Sequence, residues 1–200
     1  MKTSIKTLIA TSLTAIVLTS SVFATSVMAG EHKPTSVSAS ANNFKRVVIK
    51  GNVEITLVQR QNEGVTYADD NTGKAKITQE GNVLKITSAD KDVAKLVVYV
   101  NDIYRIDAAE NAIVKTNGKI KSKYLQIFLK GNAKADINST TEGLFTVIED
   151  NADLKLTGAT DNHTLVMGKT PKLTIDRFAA LKTNISSAES HAMEIAALVK

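Results

Sequence analysis

The sequence predicts an all-β protein, a β-solenoid whose regular coils follow a set of less regular β elements. Three observations carry that prediction. First, a pattern returns between Tyr104 and Ile195: Asn111, Asn132 and Asn151, then Thr170 and Ser190, are spaced by 21, 19, 19 and 20 residues. A period near twenty, made of two short strands and two turns, is what stacked β coils need. Second, each marker is followed by alternating apolar residues: Val114/Thr116, Ala135/Ile137, Leu154/Leu156, Leu173/Ile175 and Met193/Ile195. A second alternating segment precedes the marker, as in Leu125/Ile127/Leu129 and Leu144/Thr146/Ile148.

Third, the residues between the apolar ones form columns when successive coils are stacked at the strand spacing of roughly 4.8 Å. One column reads Lys115, Asp136, Lys155, Thr174, Glu194; its neighbour reads Ile113, Lys134, Asp153, Lys172, Ala192. Wherever these columns are charged, the sign alternates. Opposite charges facing each other across a ladder contribute a few tenths to about 1 kcal/mol per pair, and like charges repel.

Taken in order, the chain opens with Lys2 and Lys6 before an uncharged stretch from Thr7 to Gly30, apolar from Leu8 to Ala24. Ala29 supplies a small residue before a cut at Gly30, and Ala24 offers a second site. Residues 1–29 therefore read as a secretory signal peptide, and the mature protein as exported: periplasmic, cell-surface associated or secreted. There is no cysteine. An exported chain without one has neither disulfides nor an N-terminal Cys for lipid attachment, so core and ladders must hold it together.

Taking Lys2 and Lys6 from the 25 basic residues leaves 23 against 20 acidic ones. That balance is too mild and too dispersed for a nucleic-acid partner. No stretch after the signal is long and apolar enough to span a bilayer. Residues 30–43 (GEHKPTSVSASANN) are Ser- and Ala-rich without periodicity and read as a disordered spacer. One β domain is expected over residues 44–200.

That domain opens with alternating Val47 and Ile49, a turn at Gly51-Asn52, and alternating Val53, Ile55 and Leu57. A short strand is expected around Val65 and Tyr67. Gly81-Asn82 repeats the Gly-Asn turn before Leu84 and Ile86, and Lys95 to Val100 is a continuously apolar strand. Asn52, Asn82 and Asn111 lie 30 and 29 residues apart, so the early coils are expected to carry longer excursions or to form a sheet-like cap. An Asn column through positions 52, 82, 111, 132 and 151 is read as structural, because Asn tolerates left-handed turns and bonds locally.

The Gly51–Gln59 strand, the Gly81–Ile86 strand, the Leu96–Val100 strand and the short coils after them together resemble the family described as putative autotransporter adhesin, head GIN domain. The resemblance covers most of Phe44 to Phe178. It implies a bacterial exported domain with a right-handed single-stranded parallel β-helix as its body, and it brings no catalytic residues. The family's turns are Gly-Ser-Gly-like, whereas this chain has Glu110-Asn111, Gly131-Asn132, Asp150-Asn151 and Lys169-Thr170.

Chemistry-bearing patterns are few. Parallel β-helices do host polysaccharide lyases and hydrolases, which need paired carboxylates or a base with a cation site. Asp136 and Asp153 fall on adjacent coils but in neighbouring columns, each beside a lysine. Sugar grooves also favour flat aromatics, and the chain has no Trp. Asp90-Lys91-Asp92 lacks the further oxygens of a calcium loop and reads as a polar turn. His32, His163 and His191 have no zinc-ligand spacing, and His163 falls at an inward position before Leu165 and Met167. No catalytic residue, cofactor or metal is expected.

The outward positions of the strand before each marker read Asp107, Phe128, Val147, Val166 and Ser186, with Phe145 adjacent. An apolar stripe on an outer surface marks a contact site or something covered by another segment. Phe128, Phe145, Val147 and Val166 are accordingly the candidate partner face, for an unknown protein or glycan or for self-association. The functional expectation is a noncatalytic envelope or extracellular module, of binding or adhesion type, with a carbohydrate-active enzyme or a structural assembly protein as the alternatives. At the C-terminus a last strand through Ile195 is expected, although Ser186-x-x-Glu189 also fits a capping box that opens a helix.

Overall fold

The computed structural model describes residues 43–188. The signal peptide, nearly all of the spacer, Ala192, Glu194, the Met193/Ile195 pair and the strand expected through Ile195 lie outside the described residues.

All regular structure described is strand, up to Ala188, whose backbone is helical. The strands are β1 (Arg46–Gly51), β2 (Val53–Gln59), β3 (Gly64–Tyr67), β4 (Lys76–Glu80), β5 (Val83–Ser88) and β6 (Ala94–Val100), then β7 (Arg105–Glu110), β8 (Ile113–Thr116), β9 (Ile120–Gly131), β10 (Lys134–Ile148), β11 (Asp153–Met167) and β12 (Lys172–Ser187). They belong to one sheet. The head GIN resemblance implied a right-handed parallel β-helix; what the structure has is an all-β, strand-rich sheet through which two parallel rows run. One row is β5, β1, β7, then the second halves of β9, β10, β11 and β12. The other is β6, β2, β8, then the first halves of β10, β11 and β12.

The twenty-residue pattern sets the register of the later rungs. Ala135 stands between Val114 and Leu154, Ile137 beside Leu156, and Leu173 and Ile175 follow in line. In the second row Leu125, Leu144 and His163 align, as do Ile127, Thr146 and Leu165. Side chains alternate across a strand, so one in-register column after another turns to the same interior. Val114, Leu125, Ile127, Ile137, Leu154 and Leu156 are all fully buried. Each such side chain stabilises the fold by about 1.5–3 kcal/mol.

The charge columns also fall where expected. Lys155 Nζ is 3.4 Å from Asp136 Oδ2, and Lys172 Nζ is 3.8 Å from Asp153 Oδ2. Both pairs are solvated, so each is worth a few tenths of a kcal/mol to about 1 kcal/mol. Lys115 turns instead to Glu54 Oε1, at 2.5 Å.

The early rungs depart from sequence order. β1 lies between β5 and β7, and β2 lies between β6 and β8. The first rung in the chain is therefore second in the ladder. Beyond it, β3 pairs antiparallel with β6 and β4 antiparallel with β5, so the expected excursions do form a cap.

Two turn readings need correcting. Asn82 sits in the hairpin turn between β4 and β5, where its carbonyl accepts from Lys45 N and Arg46 N; it is not in the column of Asn52. The left-handed residue of each regular turn is the one before Asn: Gly51, Glu110, Gly131 and Asp150 all have φ between 58° and 88°. Asn keeps the other half of its expected role by bonding between rungs, Asn132 Nδ2 to Asn111 Oδ1 at 3.3 Å and Asn52 Nδ2 to Lys91 O at 2.8 Å. The Lys169-Thr170 turn has no left-handed residue.

At the corner between the two rows, Gly158 takes φ 108°, and a Cβ there would lie 1.9 Å from Ser139 O. Only glycine lets two rungs pass so closely. The next rung answers with a bulge, since the register shifts after Leu156 and Arg177 has φ 50°.

Candidate binding face

The outward column before each turn is continuous. Val48 pairs with Asp107, Asp107 with Phe128, Phe128 with Val147, Val147 with Val166 and Val166 with Ser186. Four predicted face residues thus lie on neighbouring strands, but they do not share one environment. Phe128, Phe145 and Val147 are half-buried and line a surface groove of about 590 Å³ with Val48, Ala109 and Leu129. Val166 is only 2% exposed although it points outward. Its outer side is covered, so it is not part of the open face; ladder position alone does not report what lies above a residue.

The Phe128 and Phe145 rings meet at 5.8 Å between centroids, tilted by 54°, within the range of favourable aromatic pairs. One end of the groove is polar. Asp107 accepts from Arg46 Nε at 2.8 Å and Nη2 at 3.2 Å, and from Arg105 Nη2 at 2.7 Å. The bond to Asp107 raises the Arg46 pKa above its already high ordinary value. Arg105 also lays its guanidinium over the Phe128 ring, 3.9 Å from the centroid, a cation–π contact. Two guanidiniums share one carboxylate here, which leaves one positive charge beside an apolar trough. Along the rim, Lys50 pairs with Glu110 at 3.2 Å and Lys130 with Glu149 at 3.7 Å. The arginine cluster escaped the sequence reading, because Arg46 and Asp107 are brought together only by the out-of-order placing of β1.

A shallower depression of about 340 Å³ on the other row is lined by Asp136 and Asp153 with Lys115, Lys134 and Lys155. Two carboxylates in one concavity is the arrangement a glycosidase would need. Here each is solvated and answered by a lysine across the ladder, whereas acid/base chemistry asks for one carboxyl in a dry environment. His163 is buried, with Nε2 2.9 Å from Thr146 Oγ1 and its ring edge-on to Phe178. Burial lowers its pKa below the ordinary value, so it sits in the core as a neutral ring. Beside it Thr141 donates to Thr160 at 2.8 Å, and Thr160 to Asn162 O at 3.2 Å.

No curated protein matches the chain. Among solved structures, the chain is similar to one described as a putative adhesin from Parabacteroides distasonis, at 13% identity and a TM-score of 0.55, covering 78% of this chain and 76% of that one. It is similar also to one described as a putative lipid binding protein from the same organism, at 13% identity and a TM-score of 0.51, covering 72% and 74%. At such identities the likeness speaks for the fold. A family model described as putative auto-transporter adhesin, head GIN domain, matches residues 43–200.

Proposed function

The chain belongs to the putative auto-transporter adhesin, head GIN domain family, and from that premise we propose a noncatalytic, exported binding module of adhesion type. The body is a right-handed single-stranded parallel β-helix over residues 44–200, delivered by a signal peptide at 1–29 and set off by a spacer at 30–43. It works at the cell envelope or outside the cell. Its contact face is the groove of Phe128, Phe145 and Val147, and the occupant is a protein surface that presents apolar side chains.

The observation that carries this reading is a pair of aromatic rings in an open, mostly apolar trough, with an arginine stacked on one of them. Aromatic and arginine side chains with little conformational freedom to lose are the usual anchors of protein interfaces. A second reading has its own support. A trough of about 590 Å³ with a net positive end also suits an acyl chain with an anionic headgroup, and one structural neighbour is described as a putative lipid binding protein.

The test compares the mature protein with Val147→Asp against purified surface proteins, a glycan array and vesicles of anionic phospholipid. The proposal expects protein capture that falls at least about tenfold in the variant, with the circular dichroism spectrum unchanged. Vesicle binding lost in Arg105→Ala as well would give the groove to a lipid. Glycan binding, or protein capture equal in both forms, would take this face out of the function, and turnover of a polysaccharide would replace binding by catalysis.

A further inference from the structure

Among the described residues, β12 is bonded to β11 along one edge and to no strand along the other. Its inward residues continue the core columns of the rungs before it, and Leu173 and Phe178 still pack against the core. Yet Ile175 is 56% exposed and Ile185 70%, and Leu181, level with the exposed Asp161, is bare as well. A long, apolar, unpaired edge is a template for another strand.

The backbone sets which residues face that edge. In each rung the outward residues donate back to the preceding rung, as Lys172 N does to Ala152 O at 2.9 Å and Gly168 N to Ile148 O at 3.0 Å. N–H and C=O groups alternate sides along a strand. The inward residues of β12, namely Leu173, Ile175, Thr183 and Ile185, therefore aim their backbone groups at the free edge.

We propose that two copies of this chain join through their β12 edges, running antiparallel about a two-fold axis at Ala179. In that register Leu173 faces Ile185 and Ile175 faces Thr183, each twice, so residues with free backbone groups meet each other. Side chains opposite one another in an antiparallel pair lie on the same face, and the two interiors become continuous. Asp176 faces Lys182 twice. Asp176 has only its chain neighbour Arg177, at 3.7 Å, and no ion pair of Lys182 is present among the described residues. The bulge at Asp176–Arg177 falls at the corner, between the two stretches that pair. The interface is isologous, as a two-fold demands, and a second copy is the occupant because the edge is complementary to itself in both apolar pattern and charge.

Sedimentation equilibrium of the mature protein over a concentration series tests this independently of the groove. A dimer is expected. Asp176→Lys and Lys182→Asp should each raise its dissociation constant at least about tenfold, since each sets like charges face to face. The double variant should recover most of the loss. Ile185→Lys, at an exposed position, should keep its circular dichroism spectrum and lose the dimer, whereas Val147→Asp should keep the dimer. A wild-type monomer at every concentration overturns the proposal and gives the edge to the chain's own residues 189–200, where the sequence expects a last strand; a double variant no tighter than the single ones overturns it too. So does a dimer broken by Val147→Asp and indifferent to Ile185→Lys, which would place the contact on the outer stripe.

Discussion

The two ends of the sheet solve the same problem in opposite ways. At one end the last parallel strands, β5 and β6, are covered by β4 and β3, which run antiparallel and are five and four residues long. Short strands with charged ends, here Lys76 and Glu80, are poor templates for a further chain. Beneath them Leu84, Ile86, Leu96 and Val98 are buried. At the other end β12 has sixteen residues, an edge with no partner strand among the described residues, and bare Ile175 and Ile185 in its inward columns. The residue types of the two outermost parallel rungs are similar. What separates core from surface among the described residues is whether another strand covers the rung.

The same substitution at both ends should separate them most. Ile86→Ala, under the cap, should destabilise the protein by about 3 kcal/mol, a typical cost for truncating a fully buried isoleucine. Ile185→Ala should cost less than about 1 kcal/mol in the monomer. Denaturant titration below the dimer dissociation constant reads both, and equal losses would mean that β12 is covered after all.

The next effect distinguishes the interior from the ends through pH. Burial holds the His163 pKa below its ordinary value, so the unfolded chain takes up that proton first on acidification. The stability that the neutral ring contributes is complete above the unfolded pKa of about 6.5 and is lost as pH falls from there toward the lower folded value. His163→Gln should flatten this part of the stability-versus-pH curve. A slope unchanged by the substitution would assign it to other groups.

The smallest effect concerns the turns. Glu110 occupies a left-handed position, a conformation that costs a non-glycine residue roughly 1–2 kcal/mol. Glu110→Gly should raise stability by about 0.5–1 kcal/mol, less the exposed pair with Lys50. Asp150→Gly should gain less, because Asp150 Oδ2 accepts from Gly131 N at 2.9 Å and that bond would go. Identical gains in thermal denaturation would show that the Asp150 bond contributes nothing.

The sequence made the later half of the molecule legible because β10, β11 and β12 stack in chain order at a nearly constant step. Periodicity along the chain then becomes register in space, and the Lys134–Asp153–Lys172 column and the outer Phe128–Val147–Val166 line can both be read as arithmetic. The earlier half hid its arrangement for the same reason. Inserting β1 and β2 between rungs made later leaves no repeat to count, so the Arg46–Asp107–Arg105 cluster had no signature and Asn82 looked like a member of the wrong column. Local conformation was partly hidden: Glu110 takes the left-handed turn position although glutamate does not favour it, whereas Asp150 is of a type that tolerates it. The outer line told which residues share a column, but not that Val166 is covered while Phe128, Phe145 and Val147 stay open.

The placing of β1 and β2 also fixes an order of events. The rung of β1 and β2, which leaves the ribosome first, has both of its lateral partners downstream, in residues 83–100 and 105–116. It cannot serve as a seed on which later rungs are laid one by one. Assembly of this half must wait for distant stretches of chain to return, a requirement that slows folding. A polypeptide built this way stays unfolded for longer as it emerges, which is the state that the proposed export would require.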